Sequence, residues 1–434
     1  MNILVLGNGF DLAHGLPTKY TDFLEFTKVM QKKISNNKTV EEIDWAGVSE
    51  KVKGCITSYY SGRGNDKKVC EEKLSELIYD NFWLDYFIQN PMYNKENWID
   101  FESEISKVIQ SLSHDMFDCK RKYELDDAMD ELSNDYLSKV YSQYSFTVRS
   151  MGALTDTRYQ AISFREIRDR LYKDLKRLIR ALEIYLAEYI GKMECNLISP
   201  DIKSIVGEFA DKDTNTKRVL TNTLCFNYTD TYKRLYWNRL LVDRYIDYIH
   251  GKADIKNTTE TNNMVLGIDE YLSEDRRNKD IEFIAFKKFY QRIYKETGCE
   301  YREWVERIEK EYLEYLQRQE EAYVREHKYE TDSMRKMMNQ LAASAIRDEK
   351  CQIHNVYIFG HSLDVTDGDI LRDLILHDNV HTTIFYYNKD VMGQQIANLV
   401  KVIGQDELIK RTGGSAKTIE FKLQQDMVEK EKYE

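Results

Sequence analysis

Only three prolines, Pro17, Pro91 and Pro200, occur in 434 residues. So few helix breakers leave room for long helices. No stretch approaches the about 18–20 consecutive apolar residues that cross a bilayer, so no membrane partner is expected. The opening apolar run Ile3–Leu6 is short, has no basic flank and is soon followed by Asp11, unlike a secretion signal. Paired cysteines are missing as well. The seven stand at 55, 70, 119, 195, 225, 299 and 351 with no C-x-x-C spacing, which indicates neither a zinc ribbon nor a redox motif. An odd, dispersed set fits reduced thiols, so a cytoplasmic protein is expected. A basic excess is also lacking. The net charge of −11 argues against nucleic acid as a partner. What is present is a hydrophobic fraction of 42%, adequate for a core, and 32% charged residues of mixed sign.

Short apolar runs at Asn2–Leu6, Val219–Phe226, Tyr245–His250, Met264–Gly267, Val356–Phe359 and Thr382–Tyr387 read as strands. They are rich in Val, Ile, Leu, Tyr and Phe and alternate poorly, as strands covered on both faces of a parallel sheet do. Between the first two runs the chain reads as mostly helical. Leu171, Leu175, Leu178, Leu182, Tyr185 and Tyr189 follow the 4-3 spacing of a helix seam, and Ile105, Val108, Ile109 and Leu112 share a face from about Phe101. Trp304, Ile308, Tyr312 and Tyr315 stripe a later helix whose charges read as a solvated face. Polar stretches 59–68, 210–218 and 252–263 read as linkers or loops. The expected fold is α/β, a Rossmann-like parallel sheet assembled from residues 1–27, 216–270 and 352–434. Residues 28–215 and 271–351 are expected as large helical insertions.

The first strand runs into "GNGFDLAHGLP", with Gly7, Gly9 and Gly15 just past it. A strand, a glycine turn and a helix is the phosphate-binding arrangement of dinucleotide folds, in which backbone approaches a pyrophosphate. The spacing is not G-x-G-x-x-G, and a tight turn without ligand is the other reading. Three further strand candidates end in polar groups: "FNYT" with Asn227, "HG" with His250 and Gly251, and "GHSL" with Gly360, His361, Ser362 and Leu363. In an open parallel sheet, ligands bind at the carboxyl ends of strands, so these groups are expected along one edge.

These four motifs, in this order, resemble those of sirtuins: G-A-G-x-S-x-x-x-G-I-P, Q-N-x-D, H-G and G-T-S-L. The chain is more similar still to the AbiH family, named for abortive infection of bacteriophage. That likeness lies in "GNGFDLAHGLPT", in W-x-D-x-E (Trp98, Asp100, Glu102), in "FNYT", in "HG" and in "GHSL", and it covers most of the chain. The sirtuin resemblance covers the sheet motifs alone and implies an NAD-binding core. Transferred residue by residue, it places NAD contacts on Gly7, Asn8, Gly9, Phe10 and Asp11, and on Gly15, Leu16 and Pro17. Asn227, Tyr228, Asp230, Gly251, Gly360, His361, Ser362 and Leu363 complete that set. Asp11 stands where sirtuins carry serine, Thr18-Lys19-Tyr20 replaces their aromatic–arginine pair, and the acid after Asn227 is displaced by one position. Without the sirtuin cysteine pairs a protein-deacylase groove is not expected, nor is a metal.

His250 reads either as a general base or as a hydrogen-bonded histidine at a strand end. Asn227 reads as an orienter of water or ribose, or as a helix cap. His14 and His361 read first as backbone-bonding groups. Asp364, Asp367 and Asp369 precede a helix and read as caps. Trp98, Asp100 and Glu102 begin another and read first as caps, although the AbiH resemblance adds weight to a site contribution from Glu102. Gly267 and Asp269 are expected to border the site. The expected function is an abortive-infection effector that cleaves NAD to nicotinamide and ADP-ribose, with His250 and Asn227 catalytic. Such an activity needs a gate against self-poisoning, for which the insertions are candidates, and a homo-oligomer or a defence partner is expected. The alternative is a non-catalytic module that binds NAD, ADP-ribose or a signalling nucleotide and regulates a partner toxin.

Overall fold

The computed structural model describes residues 1–62, 67–90, 93, 99–122, 157–207, 221–236, 246–327, 333–347, 349–415 and 417–429. Pro91, Trp98 and the 210–218 stretch lie outside the described residues. The strands are β1 (Asn2–Leu6), β2 (Leu197–Ile198), β3 (Thr221–Cys225), β4 (Ile246–Tyr248), β5 (His354–Phe359), β6 (Val380–Tyr386), β7 (Ile419–Leu423) and β8 (Val428–Glu429). Six of them form one sheet in the order β4-β3-β1-β5-β6-β7, every pairing parallel. β2 and β8 pair antiparallel in a separate ribbon. The fold is mixed α/β with many helices. The chain builds outward from β1 to one side through β3 and β4, then returns to β1 and builds the other side through β5, β6 and β7. The winding reverses at β1.

Both sheet faces are covered, which explains the poor alternation of the strands. Ile3 and Val5 join Leu371, Leu374 and Leu399 on one face. Leu4 and Leu6 join Ile202, Ile205 and Tyr232 on the other. A third core belongs to the helices Tyr20–Ser35, Glu50–Ser61, Lys67–Ile78, Phe82–Gln89, Phe101–Lys122 and Thr157–Ile184. Its seam, Leu171 to Tyr189, is buried throughout. Each fully buried leucine there contributes roughly 1.5–3 kcal/mol. The helix Phe82–Gln89 starts where Asn81 Oδ1 accepts the amides of Trp83 and Leu84 at 3.1 and 3.3 Å, satisfying two otherwise orphaned donors.

Two features differ from the sequence expectation. Met264–Gly267 is not a strand. Leu266 exchanges both backbone hydrogen bonds with the Gln291 side-chain amide, at 3.1 and 3.0 Å, so a glutamine takes the place of a neighbouring strand. Conversely, β7 was not anticipated. "IEFKL" alternates, with Ile419 buried and Phe421 half-buried against the core while Glu420 and Lys422 are exposed, as an edge strand covered on one face reads.

Candidate functional site

Register brings the four motif loops to one level. Leu6 lies opposite both Cys225 and Phe359, and Cys225 lies opposite Tyr248. The chain therefore leaves β1, β3, β4 and β5 side by side at their carboxyl ends.

What comes close to the opening glycines is the β5 loop. A Cβ on Gly7 would stand 2.5 Å from His361 Cα, and one on Gly9 would stand 2.7 Å from Gly360 Cα. Gly7 N donates to Phe359 O at 3.1 Å and Gly9 N to Gly360 O at 2.7 Å. Gly360 itself has φ +68°, and a side chain there would strike Phe10 N. The loops lock together backbone to backbone, with no room for a side chain.

This lock sets Asp11 beneath the β3 loop. Asp11 is buried, and its Oδ2 accepts Thr229 Oγ1 at 2.6 Å and Asn227 Nδ2 at 3.2 Å. Burial pushes the Asp11 carboxyl up to about 6, against the pull of the Thr229 and Thr231 hydroxyls. Its other oxygen, Oδ1, and the Asn227 carbonyl oxygen, Oδ1, are buried with no hydrogen-bond partner among the described residues.

His250, after β4, meets Asp367 of the β5 segment. Its Nε2 lies 3.1 Å from Asp367 Oδ1. The carboxylate can only accept, so Nε2 carries the proton. Nδ1 is left with its lone pair, buried and without a partner among the described residues. Burial lowers the His250 pKa and outweighs the pull of Asp367, so the ring is neutral near pH 7. Phe226 separates this ring from His361, with centroids at 5.5 and 4.3 Å. His361 Nε2 lies 3.5 Å from Asp367 Oδ2, and its Nδ1 accepts Leu363 N at 2.9 Å.

Two further residues close the cluster from outside the motifs. Lys288 Nζ lies 2.8 Å from Glu102 Oε2 and 3.2 Å from Asp367 Oδ1, and donates to Thr366 Oγ1 at 3.1 Å. Burial alone would raise Asp367. The Lys288 charge and the His250 and His361 hydrogen bonds instead hold it well below the usual carboxylate range. Glu102 is pushed up to about 7 by burial, despite Lys288. Burial opposes the Lys288 charge, yet the paired carboxylates raise its pKa above the usual lysine value. Tyr228 donates to Val265 O at 2.7 Å beside this cluster.

The family model described as "Bacteriophage abortive infection AbiH" matches residues 3–387. The chain belongs to the AbiH family. No curated protein and no solved structure matches it. The family description ties this AbiH chain to a role in abortive infection by phage. The matched span contains all four strand-end motifs together with Glu102, Lys288 and Asp367; β7 and β8 lie beyond it.

Other expected residues of the AbiH motifs fall elsewhere. Asn8 is exposed and exchanges hydrogen bonds with Thr18. Phe10 packs in the sheet core against His14, whose Nδ1–H donates to Phe10 O at 2.7 Å while Nε2 accepts from Tyr236 OH at 2.8 Å. His14 is a neutral structural group, lowered to about 4 by burial. Gly15 takes φ +81°, Leu16 joins the helical core, and Pro17 O accepts Tyr185 OH. Asp230 pairs with Lys252 at 3.5 Å. Gly251, at φ +76°, packs on Asn263. Ser362 is exposed, and Leu363 turns into the core on one sheet face. Gly267 packs on Phe286 O, and Asp269 is exposed at the border of the ion cluster, where its carboxyl, raised by partial burial, also feels the charges of Asp369, Lys288 and Asp367.

The acids divide by role. Asp100 and Asp364 cap, accepting Glu102 N and Thr366 N. Asp369 pairs with Arg292. Asp367 makes no side-chain cap and is instead the centre of the ion cluster, because its oxygens face His250, His361 and Lys288. Sequence reasoning missed Lys288 altogether. It stands beside Lys287 in the aromatic stretch "FKKFY" with no motif around it, and only its burial among carboxylates marks it. Thr229 was legible as part of "FNYT" but had no assigned role.

Proposed function

We propose that this AbiH protein hydrolyses NAD at the bond between nicotinamide and ribose, depleting the nucleotide during abortive infection. In this reading the parallel sheet is Rossmann-like and sirtuin-like at its binding edge. It is a discontinuous domain of residues 1–27, 216–270 and 352–434, with residues 28–215 and 271–351 as insertions. One observation carries the proposal: a neutral His250, oriented by Asp367 through Nε2–H, presents a free Nδ1 lone pair at the strand ends where the winding reverses. A water oxygen attacks the anomeric carbon of the nicotinamide ribose. The carbon–nitrogen bond breaks, and its electron pair leaves with nicotinamide. The water proton passes to His250 Nδ1. Asn227 orients the ribose, and Asp367 keeps the imidazole in its useful tautomer. Glu102 and Lys288 come from the two insertions, which gives those insertions a hold on Asp367, the residue that orients the base.

The test follows nicotinamide release by the purified protein with its activator, alongside nucleotide binding. A positioned base contributes about 10²–10⁴-fold. His250→Ala is therefore expected to slow release by at least about a hundredfold while binding persists. An unchanged rate in His250→Ala removes His250 as the base. One observation favours the alternative of a nucleotide-binding module: His250 Nδ1 is fully enclosed, so water reaches it only after rearrangement. Activated wild type that binds nucleotide and never releases nicotinamide establishes that alternative.

A further inference from the structure

We infer that Asp11 and Asn227 form a recognition site for a ligand group that presents hydrogen-bond donors, a vicinal sugar diol, and that phosphate is excluded from this position. The inference rests on the nucleotide reading of the same edge and assigns which part of the nucleotide lies against β1 and β3.

The argument begins with donors and acceptors. Asn227 Nδ2 and Thr229 Oγ1 both donate to Asp11 Oδ2. Those bonds fix both side chains. They turn Asp11 Oδ1 and Asn227 Oδ1 away, as two buried acceptors without a hydrogen-bond partner among the described residues; the nearby Thr231 hydroxyl, which also pulls on the Asp11 carboxyl, donates to Thr229 Oγ1 at 3.2 Å. Asp11 is 1% exposed and Asn227 5% exposed. A buried polar group left unpaired is costly, so two side by side, one on the helical turn after β1 and one in the loop after β3, are expected to serve a ligand. Acceptors recognise donors. A pair of ribose hydroxyls supplies two, on adjacent carbons.

Phosphate fails the same test twice. Its oxygens are acceptors, and the nearest ionisable group is a carboxyl. The amides that would cradle it, Gly7 N and Gly9 N, already donate to Phe359 O and Gly360 O. The glycines of this loop therefore serve the contact with β5, and that contact holds Asp11 in place for a hydroxyl ligand.

Isothermal titration of the full chain with ADP-ribose, which carries both riboses and a pyrophosphate, separates the outcomes. Asp11→Asn keeps an oxygen for Asn227 and Thr229 but sets an NH₂ donor where the free acceptor stood. ADP-ribose affinity is expected to fall at least tenfold, with the variant's melting curve confirming that it is folded. If the carboxyl instead abuts phosphate, loss of its charge strengthens binding. Strengthened or unchanged affinity overturns the inference and leaves the nucleotide reading standing. A second measurement needs no variant: ribose 5-phosphate, the half of ADP-ribose that carries the nicotinamide-side ribose, is expected to displace ADP-ribose from wild type at least tenfold better than 2,3-dideoxyribose 5-phosphate, and equal displacement overturns the inference. Wild type that binds no ADP-ribose removes the nucleotide reading and this inference together.

Discussion

Lys288 Nζ lies 3.2 Å from Asp367 Oδ1, the same oxygen that accepts Nε2–H of His250. A lysine outside every motif therefore shares a carboxylate with the proposed base. Both charges are buried, and Glu102 completes the cluster at 2.8 Å from the ammonium. Removing one partner from a buried ion pair leaves the other uncompensated and costs about 3–5 kcal/mol. Lys288→Met is expected to lower unfolding stability by that order. Urea denaturation checks it, and a loss below about 1 kcal/mol would show that the cluster is solvated.

Burial depresses the His250 pKa against the pull of Asp367, and the same lysine adds to the lowering. If His250 is the base, the acid limb of nicotinamide release falls below about pH 6.5, the unperturbed imidazole value. The pH–rate profile of wild type reads this directly. A limb above 6.5 contradicts a neutral, desolvated imidazole.

Asp11 and His14 impose opposite pH slopes on stability. The Asp11 pKa is raised to about 6 in the fold, by burial against the Thr229 and Thr231 hydroxyls and the Arg234 charge, with Asp230 adding to the rise. The native state therefore binds the proton more tightly than the unfolded chain, and Asp11 stabilises less as pH rises from about 4 to 6. His14 is lowered to about 4 by burial, so the unfolded chain binds its proton more tightly and stability rises with pH between about 4 and 6.5. Asp11→Asn is expected to make the net slope between pH 4 and 6 more positive and to stabilise the protein at pH 7 by about 1–3 kcal/mol. Melting temperatures across that range, wild type against variant, test the sign.

His14 lies outside the proposed machinery. His14→Ala removes one hydrogen bond to Phe10 O and one from Tyr236 OH. It is expected to cost about 1–3 kcal/mol of stability and to leave ADP-ribose affinity unchanged. Lost affinity in a folded variant would place His14 in the site after all.

Two glycines of one motif separate by mechanism. Gly9→Ala drives a methyl into the Gly360 backbone, which cannot move aside as a side-chain tip can. Gly15→Ala meets open space but takes φ +81°, a conformation that costs an alanine about 1–2 kcal/mol. Thermal denaturation is expected to rank Gly9→Ala well below Gly15→Ala. Equal losses would show that the β1 and β5 loops are not locked.

Local pattern alone determined much of this protein. Apolar runs of four to eight residues marked β1, β3, β4, β5 and β6, because strands covered on both faces must be apolar on both. The helix seam from Leu171 to Tyr189 was legible because one helix turn repeats every 3.6 residues. The motif glycines, Asn227 and His250 stood out because each follows such a run. Tertiary structure decided the rest. Which group a glycine backbone approaches depends on which strand lies next to β1, and nothing within "GNGFDLAHGLP" encodes the neighbouring Gly360. A charged residue reads as solvated until burial brings it against its partners. Lys288, Glu102 and Asp367 lie far apart along the chain, and only the fold makes them one cluster around His250.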